Sequence, residues 1–296
     1  MRRRAAGGTR RGRPARAPGR TTRPRRVRAS LAAAARSPRS PDFRFACLGT
    51  SGAVPSAARD TTALVVRAGR SVCLVDVGGS PVQKLRRLGV DPIGLTAVVI
   101  THTHPDHVYG LPALVQNLII LGRRESLPVF CRIEHVALIR DLLRLFELVD
   151  GPHGLPVTVV GVEPQAGVSL LTTDDLALTA SPNLHGRMPN LAVRAAVGER
   201  SLVYSSDTRP CDGVVTLARG ATVLVHEATL ATPDPTQWHS TARDAGEIAR
   251  RAAVGRLLLA HIGYSHHDAL AELVAAARAA FGGPVAVADE LRWYRI

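Results

Sequence analysis

Residues 95–111 read Leu95-Thr-Ala-Val-Val-Ile-Thr-His-Thr-His-Pro-Asp-His-Val-Tyr-Gly-Leu111. The Val- and Ile-rich run Ala97 to Ile100 has the composition of a buried strand. It ends in His102, His104, Asp106 and His107, so metal-capable side chains crowd one short loop. On extended chain, residues two apart point to the same side, which lets His102 and His104 converge on one point. Pro105 stops the strand and forces a turn. Asp106 is then placed to start a helix from about Val108 to Leu121, with His107 on its first turn. The loop thus offers two ligand groups, His102 with His104 and Asp106 with His107, which suits two adjacent cations better than one. Imidazole and carboxylate together favour zinc, with manganese or iron next. The bland alternative, surface histidines in a polar loop, accounts poorly for this density directly after an apolar strand.

The chain has 296 residues and 46% hydrophobic content, enough for one large domain or two small ones. Charge is unevenly spread. Residues 1–40 hold 14 Arg and no Asp, Glu or Lys; the remaining 24 basic residues (38 − 14) balance 24 acidic ones. The net +14 therefore belongs to this segment and the body is neutral. The segment is rich in Pro, Gly, Ala and Ser and cannot bury enough surface to fold alone, so residues 1–41 are expected to be a disordered tail and 42–296 the folded domain. Three roles fit the tail: a solvated extension or over-extended start, an RNA-binding arm held by phosphate contacts, or a transit peptide. It lacks the apolar core of a secretory signal, and no run approaches the roughly 18 apolar residues of a membrane span. Cys47, Cys73, Cys131 and Cys211 form no Cys-x-x-Cys pair and read as reduced residues of a cytoplasmic protein.

In chain order, strands are predicted at Phe43–Leu48, in a hairpin of Ala63–Arg67 with Ser71–Val77, and at Leu127–Cys131. Helices are predicted at Pro81–Leu88 and Ile133–Leu148, the latter placing His135 on a solvated face. His153 sits in a turn. Val157–Val162, Val168–Leu171 and Leu176–Ala180 look like an antiparallel meander. A hairpin spans Asn190–Val197 and Ser201–Ser206, and Val223–Val225 is a further strand. Thr241–Ala253 reads as a helix, Leu257–Ala260 as a buried strand, Asp268–Phe281 as an Ala-rich helix, and Val285–Ala288 and Leu291–Arg295 as closing strands. Asp76 closes the second hairpin strand before Gly78-Gly79; tying down that loop is the favoured role, a carboxylate of the site the other. The pattern alone gives an α/β or α+β protein. His185, Asp207 and His261 each follow a strand-like run, where a rigid sheet fixes loop geometry, and are candidates for further ligands.

The order and surroundings of these pieces resemble the metallo-β-lactamase superfamily, in its ribonuclease Z-like branch of metal-dependent hydrolases, over nearly all of 42–296. The motifs are Gly-Thr-Ser-Gly-Ala-Val-Pro-Ser (49–56), Thr-His-Thr-His-Pro-Asp-His (101–107), Ser-Asp-Thr-Arg-Pro (206–210), His-Glu-Ala-Thr (226–229), His-Ser-Thr-Ala (239–242) and Ala-His-Ile (260–262). The resemblance implies a four-layer αββα sandwich. It implies that His102, His104 and His185 hold one metal, that Asp106, His107 and His261 hold another, and that Asp207 bridges both. It implies a two-metal centre with a shared hydroxide, most simply zinc with manganese as the alternative. It also makes His239 the general acid, oriented by Glu227, and counts Asp106 among the catalytic residues. His226 should face away, because it precedes Glu227 on a strand; His266 and His267 are the alternatives to His261. A homodimer is a further implication.

The chain departs from the tRNA 3′-processing enzymes of that branch. Residues 78–82 read Gly-Gly-Ser-Pro-Val in place of Gly-Glu-Gly-Thr-Gln; Arg59 is followed by Asp60 where those enzymes carry Asn; residues 263–267 read Gly-Tyr-Ser-His-His in place of Ser-x-Arg-Tyr. Many of those enzymes insert a long basic arm where 186–206 leaves room only for a hairpin. The leading expectation is a phosphodiesterase acting on a small molecule or nucleotide. The alternatives are a tRNA 3′-endonuclease using the Arg-rich tail, a sulfate-ester or lactone hydrolase, and a non-catalytic binding protein.

Overall fold

A computed structural model describes residues 42–150, 154–233 and 238–296; the Arg-rich tail and His153 lie outside the described residues. The first half of the folded chain builds one sheet from β1 (Phe43–Gly49), β2 (Ala63–Ala68), β3 (Ser71–Val75), β4 (Ala97–Val99), β5 (Leu127–Arg132) and β6 (Val157–Val162). Between them run α1 (Pro81–Arg87), α2 (Pro105–Val108), α3 (Gly110–Ile120) and α4 (Val136–Leu145). The second half builds the other sheet from β7 (Val168–Thr172), β8 (Ala177–Pro182), β9 (Leu191–Val197), β10 (Arg200–Tyr204), β11 (Val223–Ala228), β12 (Leu257–Ile262) and β13 (Val285–Val287). Its helices are α5 (Asp212–Ala218), α6 (Ala242–Arg251) and α7 (Leu270–Phe281). β14 (Tyr294–Arg295) returns to pair with β1 in the first sheet.

The strand orders are β14-β1-β2-β3-β4-β5-β6 and β13-β12-β11-β10-β9-β8-β7. Alternation along each strand decides the layers. On β1, Phe45 and Cys47 join Leu202, Tyr204, Val225 and Leu258 between the sheets. Ala46 and Leu48 face outward with Leu85 of α1, Leu111 of α3 and Ile139 of α4. Leu224, Leu257 and Leu259 pack outward against Ile248 of α6 and Ala277 of α7. Helix, sheet, sheet and helix thus form the expected αββα sandwich.

The expected meander is corrected at Val157–Val162. This strand pairs in parallel with β5 at the edge of the first sheet, and the chain then crosses to start the second. Its β-branched residues are common to both settings, so sequence pattern alone does not separate them. His135 is also corrected. Ile133–His135 forms a 3₁₀ turn ahead of α4, which shifts the helical phase and buries the imidazole. Its Nε2 donates to Pro189 O over 2.7 Å and its Nδ1 accepts from Thr103 Oγ1 over 3.2 Å. Helix α5 escaped the sequence reading; it is short, and Asp212 and Gly213 at its start read as loop. Helix α6 begins at a side-chain cap: Thr241 and Asp244 form a reciprocal capping box.

Candidate metal centre

The strand-end loops of both sheets converge. The segment after β4 passes His102 and His104 into α2, whose first turn carries Asp106 and His107. The loop between β8 and β9 carries His185, and the turn after β10 carries Asp207. His261 lies inside β12, where the ladder skips from Ala260 opposite Glu227 to Ile262 opposite Ala228. This bulge gives His261 a φ of 49° and turns its side chain into the site. Asp76 (φ 60°) and Ser206 (φ 53°) also stand in the left-handed region beside the cluster, conformations that cost about 1–3 kcal/mol each and persist where surrounding structure enforces them.

Two groups of donor atoms result: His102, His104, His185 and Asp207, and Asp106, His107 and His261, each within 4.8 Å. Asp207 divides its oxygens between them. Oδ2 is 3.8 Å from both His102 Nε2 and His185 Nε2, while Oδ1 is 3.3 Å from His107 Nε2 and 3.2 Å from His261 Nε2. Asp106 Oδ2 lies 3.4 Å from each of the latter two nitrogens.

The imidazoles are fixed from behind. His107 Nδ1 donates to Asp76 Oδ2 (2.8 Å) and His185 Nδ1 to Trp238 O (2.8 Å). Thr229 Oγ1 donates to Glu227 Oε2 (2.6 Å) and so accepts from His261 Nδ1 (2.9 Å). Thr101 Oγ1, which donates to Asp76, lies 3.2 Å from His102 Nδ1. In each of these four rings an oxygen takes the Nδ1 proton and leaves the Nε2 lone pair facing inward, as metal-ligating histidines require. His104 presents Nδ1 instead, 3.0 Å from His102 Nε2 and 3.1 Å from His185 Nε2.

Buried lone pairs facing one another repel. Asp207 Oδ1 is buried with no hydrogen-bond partner, although two ring nitrogens stand close by. Donor atoms aimed at common points, not at each other, fit divalent cations. Burial lowers the pKa of His102 and His185, which keeps them neutral and ligand-ready. His107 departs from this: burial opposes its charge, but Asp207 and Asp76 outweigh it and raise its pKa well above 6.5.

His239 closes one side. Its Nδ1 donates to Glu227 Oε1 over 2.9 Å, and its ring lies 4.8 Å from that of His185 and 5.6 Å from that of His261. Glu227 is fully buried and also accepts from Thr208 N. His239 forms a third donor group with Asp207 and His261, a ligand role that sequence reasoning set aside. His226 shares the outward face of β11 with Leu224 and Ala228, away from the cluster. His267 Nε2 contacts Ser51 Oγ and Ile262 O, and neither it nor His266 enters a donor group among the described residues.

The family model described as the beta-lactamase superfamily domain matches residues 73–262, a span that holds every residue of the donor groups. The chain belongs to the metallo-β-lactamase superfamily. Within it the chain falls in the ribonuclease Z-like branch. It is 30% identical to the ribonuclease Z of Methanothermobacter thermautotrophicus, over 82% of this chain and 94% of that one. It is equally 30% identical to the ribonuclease Z of Myxococcus xanthus, over 83% and 95%. Among solved structures, the metallo-beta-lactamase fold protein YhfI from Bacillus subtilis superposes with a TM-score of 0.72 at 25% identity, covering 86% of this chain and all of its own. The human short-form tRNase Z shares the fold at a TM-score of 0.67 and 22% identity, over 85% and 98%. The loop role that sequence reasoning favoured for Asp76 is seen in its bonds to Thr101, and its bond to His107 Nδ1 adds the other role, a carboxylate beside the cluster; Thr229, Thr101 and the Trp238 carbonyl were overlooked. Those three act through hydroxyl or backbone oxygens, which ligand spacing does not reveal.

Proposed function

We propose that the protein hydrolyses a phosphodiester at a centre of two divalent metal ions, most simply zinc, and that its substrate is a small molecule or nucleotide. The observation that carries this reading is the division of Asp207 between two imidazole groups, Oδ2 toward one and Oδ1 toward the other. Held by these two groups, a pair of cations would supply Lewis acidity that acidifies water and draws off the charge growing on phosphoryl oxygens. The remaining chemistry belongs to the chain. Asp76, Thr101, Thr229 and the Trp238 carbonyl hold each imidazole in one tautomer and orientation. The Glu227 hydrogen bond and carboxylate favour the protonated form of His239 beside the cluster, against the opposing effect of burial. His239 can then give a proton to a leaving oxygen while Glu227 stabilises the imidazolium. The free cysteines fit a reducing, cytoplasmic setting, and among the described residues no helix is long and apolar enough to cross a membrane.

A second reading, a tRNA 3′-endonuclease, is favoured by the curated relatives, which carry the name ribonuclease Z. Those names weigh toward RNA more than the sequence expectation did. Against it stands length. The Methanothermobacter alignment runs over 298 positions yet uses 82% of this 296-residue chain, about 243 residues, so about 55 positions (298 − 243) have no counterpart here. Between His185 and Asp207 the chain forms only a turn and the β9–β10 hairpin, which leaves no room for a gripping arm. The test is a panel of bis(p-nitrophenyl) phosphate, aryl sulfate, lactone and precursor tRNA on metal-loaded protein, full length and lacking residues 1–40. Phosphodiester turnover without the tail supports the leading reading; tail-dependent cleavage of precursor tRNA replaces it with the second.

A further inference from the structure

Trp238 stands at the edge of the cluster and no step above uses its ring. The residue keeps 37% exposure in a chain with only two tryptophans. It lies nearly parallel to the His104 ring (19°, centroids 6.2 Å apart) and edge-on to His185 (82°, 5.3 Å). Its position is fixed twice. Its carbonyl takes the Nδ1 proton of His185. Its ring rests on Gly186, where any Cβ would collide with the indole and φ is +54°. Leu184, two residues before, is 44% exposed in the same loop, and His239 follows directly in sequence. A flat apolar surface is thus held beside the donor atoms and the His239 imidazole.

We propose that Trp238 is a stacking platform for a planar ring one ester link from the scissile phosphate, which makes the substrate a nucleotide ester. This rests on the phosphodiesterase reading above. A partly exposed indole held beside the donor atoms is placed for contact, and base stacking on an aromatic face is tolerant of sequence. The ring carries no charge, so it adds affinity for the base without competing for the phosphate.

The test uses two esters with one leaving group: thymidine 5′-(p-nitrophenyl phosphate) and methyl p-nitrophenyl phosphate. In both, water adds to phosphorus, the P–O bond to the aryl oxygen breaks, and p-nitrophenolate departs. On metal-loaded full-length protein, Trp238→Ala is expected to lower kcat/KM for the thymidine ester, through KM, by about tenfold or more beyond any loss on the methyl ester. Trp238→Phe should restore most of the loss. A binding arm stands apart from turnover: adenosine 5′-monophosphate should quench the fluorescence present in wild type and absent in Trp238→Phe, and ribose 5-phosphate should not. Equal losses on both esters, or no quenching, overturn the platform. Quenching without turnover of either ester removes the hydrolase reading and leaves the platform standing. A dinucleoside monophosphate and a precursor tRNA, run side by side, distinguish a free nucleotide from an RNA end as the source of the base.

Discussion

Asp76 Oδ2 stands 2.8 Å from His107 Nδ1, and both side chains are fully buried. The carboxylate also accepts from the backbone N–H and hydroxyl of Thr101. It therefore ties the loop after β4 and orients an imidazole of the cluster in one act. Asp76→Asn keeps the shape and loses the charge. Metal affinity is expected to fall about 10- to 100-fold, read by competition with a chromophoric chelator; an unchanged affinity would reduce Asp76 to a loop tie.

Thr229 links the cluster to the acid. Its hydroxyl donates to Glu227 Oε2 and accepts from His261 Nδ1. Thr229→Val leaves both buried groups short of a partner, each a penalty of about 1–3 kcal/mol. Turnover should drop at least tenfold in steady-state assays, and Thr229→Ser should recover most of it. Turnover in Thr229→Val equal to that in Thr229→Ser would show the hydroxyl to be idle.

The His239–Glu227 pair sets a pH window. In metal-free protein His239 titrates at about 9 against an ordinary 6.5; burial opposes the charge and the Glu227 hydrogen bond and carboxylate outweigh it. Because the folded value is the higher one, the pair's contribution to stability is fully present below about pH 6.5 and fades as pH rises through about 9. Glu227→Gln should pull the NMR titration of His239 back toward 6.5 and remove that dependence. A wild-type titration already near 6.5 would contradict the account.

Two stability effects differ in origin. Phe45 is fully buried between the sheets and stacks on Tyr294 at 5.2 Å; Phe45→Ala should cost about 3–5 kcal/mol in urea unfolding. Thr241 supplies one half of the α6 capping box, and Thr241→Ala should cost about 1 kcal/mol. A reversed order would mean that the inter-sheet layer does not carry the fold.

Much of this was legible because strand-end residues advertise themselves. The apolar run before His102 and the spacing of His102, His104, Asp106 and His107 set the first sheet's loop. His185 and Asp207 stood out by the same rule. His261 showed how the rule bends: it lies within β12, displaced into the site by a bulge that no local pattern encodes. His135 was misread because a 3₁₀ turn changes the phase of a helix without changing its composition. β6 was misassigned because strand composition does not name its neighbour. The supports on the imidazoles were hidden because backbone and hydroxyl oxygens acquire meaning only when distant segments meet.

Metal analysis of purified full-length protein, beside Asp207→Ala, bears most directly on the central claim. Asp207 reaches one imidazole group with each oxygen. The expected result is two divalent ions per wild-type chain and no more than one in Asp207→Ala, with matching circular dichroism. No bound ion in the wild type, or two in both proteins, would contradict it.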